Sequence, residues 1–230
     1  MKKKRTYSRK QNALRWLLRL VALILVLNVT GLYKIHPDQT IPARLQESGL
    51  SPTEVVHREW ANHKNVDDWL LMVSENEQVI CLSAATFHPL TGWYNRSGVH
   101  AIVRDNPETY DRNWNVHKRD TDTEWVCLFG FVPTGEEAPT FKAGVYNYRA
   151  PYDEEIDTSD YVLIGDTYFD GEPITITPTP TIPVEGGMCY LTQFSVTYKT
   201  MDQNQYDVAV LCDRTGTWEQ CKYWTSTGLG

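Results

Sequence analysis

Residues that could do chemistry are few in this chain. Asp120-Thr121-Asp122-Thr123-Glu124 sets carboxylates at alternate positions, the spacing by which oxygen ligands gather around a hard cation such as calcium. The run lacks the glycine and the distant glutamate of an EF-hand. Asp120, Asp122 and Glu124 are therefore a calcium candidate set by their alternation alone, and no other cofactor is indicated. Trp93-Tyr94 follows Gly92, and Trp114 stands among Arg112, Asn113 and Asn115. Flat rings with polar neighbours suit stacking on sugars, so Trp93, Tyr94 and Trp114 are the candidate ligand-binding residues.

Other motifs are absent. The sequence holds no nucleophile elbow, H-E-x-x-H, Walker or dinucleotide-binding loop. The six histidines are scattered with no partner at metal-ligand spacing, and His100 reads as the outward side of a strand. Twenty-nine acids are too many for sequence to select the pair a glycosidase needs.

The 5 cysteines form no C-x-x-C pair, which removes a zinc ribbon or thioredoxin-type site. Cys81 and Cys127 lie in apolar runs and read as small buried hydrophobes. Cys212 and Cys221 flank a terminal hairpin with two admissible registers. A two-residue turn at Gly216-Thr217 pairs Thr215 with Trp218 and sets Cys212 opposite Cys221, within disulfide reach. A three-residue loop Arg214-Thr215-Gly216 pairs Cys212 with Trp218 instead and separates the thiols.

The N-terminus must position all of these. Eight of the 22 basic residues precede residue 20, and all 29 acids follow it, leaving 14 basic against 29 acidic residues beyond. An apolar run over residues 17–27, fading by Tyr33, follows the basic cluster. This asymmetry predicts a cytoplasmic N-terminus and an outward C-terminal part. The expected organisation is a basic tail (1–12), a transmembrane signal-anchor helix (13–34), a stalk (35–50) and one extracytoplasmic β-rich domain (51–230). A secreted form cleaved near Val29-Thr30-Gly31 is the alternative. So acidic a domain repels nucleic acid and anionic polymers.

Beyond Ser51-Pro52-Thr53-Glu54, which has the features of a helix start, the pattern is strands. Residues 69–73, 79–84, 99–104, 125–132, 143–148, 161–164, 173–177, 188–198, 208–212 and 218–224 are apolar or alternate with a period of two. Turn pairs such as Asp170-Gly171 separate them. The fold class expected is mainly β, an antiparallel sandwich or barrel-like domain with one short N-terminal helix, preceded by a single transmembrane helix. The corresponding function is a bacterial-type, membrane-anchored, non-catalytic binding or interaction module of the cell envelope, with the membrane and an envelope protein or glycan as partners. An envelope hydrolase built from scattered carboxylates and aromatics is the second reading.

Overall fold

A computed structural model describes residues 9–41, 53–64, 66–117, 122–198, 205–213 and 216–221. It opens on helix α1 (Arg9–Val29), followed by a short 3-10 turn, Pro37–Thr40. Fourteen strands follow: β1 (Glu54–Trp60), β2 (Leu70–Glu75), β3 (Val79–His88), β4 (Gly92–Val103), β5 (Asp111–His117), β6 (Thr123–Pro133), β7 (Thr140–Asn147), β8 (Val162–Ile164), β9 (Thr167–Phe169), β10 (Ile174–Ile176), β11 (Ile182–Val184), β12 (Gly187–Thr197), β13 (Tyr206–Asp213) and β14 (Trp218–Gln220). The protein is mainly β. Every pairing between these strands is antiparallel.

The strands form three sheets and, among the described residues, no closed barrel. The first is ordered β1-β2-β3-β4, the second β11-β12-β6-β5, and the third β14-β13-β7-β9-β8 with β10 beside β7. The second sheet buries both faces. Trp125, Cys127, Phe129 and Phe131 of β6 share a core with Leu71, Val73, Ile80 and Leu82 of the first sheet. Val126, Leu128 and Val132 share another with Phe141, Ala143, Val208 and Val210 of the third. This double burial explains why the β6 sequence is a continuous apolar run, whereas β7, with one face inward, alternates. Tyr190 crosses over Gly130 on the neighbouring strand, where a side chain would collide with its ring, and donates a 2.6 Å hydrogen bond to Asp111.

One expectation is corrected here. The helix at Ser51–Glu54 is not formed: Glu54–Trp60 is strand β1, paired with β2 through a bulge between Val55 and His57, while Ser51 and Pro52 lie outside the described residues. Capping residues mark only where a helix could begin. The β-branched pair Val55-Val56 and an open edge on β2 decide the outcome. The described residues that follow α1 touch the first sheet. Lys34 bridges to Gly92, Arg58 pairs with Asp38 at 2.5 Å, and Ile41 is buried at 1% exposure against Leu70 and Met72. Residues 42–50 lie outside the description.

α1 carries no buried residue and is, among the described residues, the one helix long and apolar enough to cross a membrane. Its 21 residues rise about 32 Å, matching a hydrocarbon core of about 30 Å. Such a helix is compatible with an anchor or a signal sequence.

Candidate binding cleft

The outer face of the third sheet carries a cleft of about 510 Å³. Its walls come from separate segments: Tyr146 on β7, Tyr148 and Tyr152 in the segment that follows it, Tyr168 on β9, and Trp218 on β14. Asn147, Asp166, Glu219 and Gln220 line the same cleft.

The fold holds this aromatic wall in several ways. Asn147 is buried, and its side-chain Oδ1 accepts from the amides of Arg149 (2.9 Å) and Ala150 (3.2 Å), an Asx turn that directs the loop. Its Nδ2 donates to the Tyr161 hydroxyl at 3.0 Å, which lies 2.9 Å from that of Tyr206. Arg149 and Asp153 close the next turn with a 2.8 Å ion pair. The Tyr146 and Tyr148 rings meet edge-on, with centroids 6.5 Å apart. Lys142 places its ammonium 5.6 Å from the centroid of the Trp218 ring, a cation–π contact. Burial, then the charge of Asp207, raises the Tyr146 hydroxyl above the usual tyrosine value, so it stays protonated and can both donate and accept. Tyr152 is 88% exposed and Tyr148 38%, leaving ring surface open for stacking.

The aromatic residues singled out from sequence do not form one site. Trp93 and Tyr94, read as loop residues, lie on β4 and, being adjacent in a strand, face opposite sides of the first sheet. Trp93 packs towards Ile41 and Leu70. Trp114 lies on β5, not in a loop, and is partly buried between the first and second sheets. It stacks on Trp69 at 5.0 Å and meets Trp125 edge-on at 5.4 Å. His100, expected to face outward, is buried at 2% exposure and packs 4.9 Å from the Trp114 ring. Burial, and then Arg112, lowers its pKa to about 3, so it is neutral at physiological pH.

Of the calcium candidates, Asp120 lies outside the described residues and Asp122 is exposed. Glu124 is buried, accepts a 2.6 Å hydrogen bond from Tyr198, and is held up to about 7, chiefly by burial. Among the described residues no three His, Cys, Asp or Glu side chains gather as a metal site.

The terminal hairpin takes neither register expected. Asp213 pairs with Trp218 and Cys212 with Glu219, so four residues separate the paired ends. Within the connection the Gly216 amide donates to the Asp213 carboxylate at 2.8 Å. Cys212 and Cys221 nevertheless share the core between the second and third sheets, and their side chains hydrogen-bond.

Sequence reading missed the cleft. The spacing Tyr146, Tyr148, Tyr152 was a local signal, but its union with Tyr168 and Trp218 depends on three distant strands pairing. Compared with family models, curated proteins and solved structures, the chain matches none.

Proposed function

We propose that this protein is a single-pass, membrane-anchored binding module of the cell envelope. Its N-terminus is cytoplasmic, and its acidic, layered β sandwich lies outside and receives an uncharged glycan in the tyrosine-lined cleft. The cleft carries this reading. Four tyrosines and a tryptophan supply flat apolar surface for sugar rings, and Gln220, Asp166 and Glu219 line the same cleft as hydrogen-bonding groups. The balance of 14 basic to 29 acidic residues beyond residue 20 disfavours anionic polymers as ligands.

Binding without catalysis is favoured by where the perturbed carboxyl sits. Glu124, raised to about 7, would suit a general acid. It is buried under Tyr198 and does not line the cleft.

The test is a glycan array probed with the full chain in nanodiscs. Binding to neutral glycans, reduced at least tenfold by Trp218→Ala and by Tyr148→Ala, supports the assignment. Retention of all binding by both variants rules out the cleft. Release of new reducing ends during incubation would establish the hydrolase instead.

A further inference from the structure

The first sheet presents a second aromatic surface, remote in function from the cleft. Trp60 pairs across β1 and β2 with Leu70, and Leu70 across β3 with Ala85, which puts the three side chains on one face. Phe87, two residues on, shares that face and pairs with Trp93. The rings form a continuous rim: Trp60 and Trp93 have centroids 6.1 Å apart, and Phe87 and Trp93 5.6 Å. Trp60 is 55% exposed, Phe87 49%, and Leu90, at the β3–β4 tip, 82%.

This rim is tied to the end of α1. Asn28 on α1 donates to the Tyr33 carbonyl (2.9 Å) and to Gln39 (3.0 Å), and the Tyr33 amide donates to Leu27 (3.0 Å). The Tyr33 hydroxyl donates to the Pro89 carbonyl (3.3 Å), and the Trp93 amide to the Lys34 carbonyl (2.9 Å). Four residues beyond Val29 reach at most about 14 Å, so the Tyr33 backbone lies within that distance of the helix end, and its side chain makes the contact with the β3–β4 tip.

We propose that this rim, Trp60, Phe87, Leu90 and Trp93, is seated in the lipid headgroup region of the outer leaflet. The proposal rests on α1 being a retained membrane span. A helix spanning the hydrocarbon ends at its boundary, and the interfacial layer beyond is some 5–7 Å thick on each side. Indole rings favour that layer, where their apolar body and N–H are both accommodated. Leu32, in the segment that joins α1 to the domain, is an apolar side chain 72% exposed. The occupant is therefore the bilayer itself, and the domain is held against it by side chains as well as by its tether.

The experiment uses the full chain with Trp16→Phe, which removes the helix tryptophan. It is reconstituted in nanodiscs of phosphatidylethanolamine and phosphatidylglycerol carrying a spin label near the headgroup. The expected result is strong quenching of tryptophan fluorescence, at least halved by Trp60→Phe with Trp93→Phe and restored when Leu90→Trp is added. Quenching unchanged by the double substitution, or not restored at position 90, overturns the seating while leaving the anchor intact. Extraction of the chain from membranes by alkaline carbonate would remove the anchor, and the proposal with it. Neither result touches glycan binding in the cleft.

Discussion

Cys212 and Cys221 touch in the core although the strand register pairs neither with the other. Cys212 lies opposite Glu219, and the Cys221 amide donates to the Val210 carbonyl at 2.8 Å. That bond continues the ladder one residue past Gln220, so Cys221 stands opposite Val210 and shares a sheet face with Cys212. The Cys221 thiol is held well above its usual value, first by its hydrogen bond with Cys212 and then by burial. Spontaneous oxidation should therefore be slow.

Oxidised glutathione is expected to convert the pair to a disulfide. Two thiols give up two protons and two electrons, and the reagent is reduced to two molecules of thiol. Cys81, Cys127 and Cys189 are fully buried, whereas Cys212 is 9% exposed, so the reagent should reach the terminal pair and leave these three free. The bridge closes a short loop and should add at most about 2–3 kcal/mol, or roughly 4–12 °C in Tm. Peptide mapping without reduction checks it, and alkylation at both positions after oxidation would count against it.

Glu124 makes stability depend on pH. Its folded-state value near 7 exceeds the ordinary 4.5, so between those values the native state holds more protons than the unfolded chain. Stability should fall as pH rises from about 4.5 to about 7 and level off above, by on the order of 3 kcal/mol at most. Glu124→Gln keeps an acceptor for Tyr198 and loses the titration. Denaturant midpoints measured from pH 4.5 to 8 should fall less in the variant, with the largest gain over wild type at pH 8. An identical slope in both proteins would place the effect elsewhere.

Calcium at this corner would have to ionise Glu124 and draw it from Tyr198. Millimolar calcium is expected to leave Tm unchanged at pH 6, where the carboxyl is mostly protonated. A rise of several degrees that Asp122→Asn abolishes would instead establish the 120–124 run as a site, since an ion bound only by the folded form stabilises it.

What the sequence disclosed was set by locality. The apolar run in β6 and the period of two in β12 reflect what each residue faces, and both strands lie where patterning puts them. β1 was misread because Ser51, Pro52 and Glu54 are local helix signals, whereas its strand state depends on a partner edge ten residues away. β5 was missed because Asn113, 1% exposed, looks like a loop residue until a second sheet is known to cover it. Trp114 looked like a ligand platform for the same reason. The cleft and the Cys212–Cys221 contact join segments whose approach depends on sheet order, which no spacing encodes.

The junction between Lys34 and Gly92 provides the last test. Gly92 has φ +74°, and a Cβ there would stand 2.3 Å from the Lys34 carbonyl oxygen. Gly135 also has a left-handed φ of +90°, but nothing lies within 4 Å of the Cβ position. Alanine at Gly135 should cost only the backbone term, about 1–2 kcal/mol. Alanine at Gly92 adds a collision with main chain that neither side can relieve by a rotamer change. It should push the segment from Lys34 to Ile41 off β4 and break the Trp93 amide bond to Lys34. Hydrogen exchange distinguishes the two variants. Gly92→Ala is expected to speed exchange at Trp93 at least tenfold while β6 and β12 remain protected, and Gly135→Ala should leave Trp93 unchanged. Protection of Trp93 retained in Gly92→Ala would mean that the segment tolerates the clash and that its docking does not depend on this glycine.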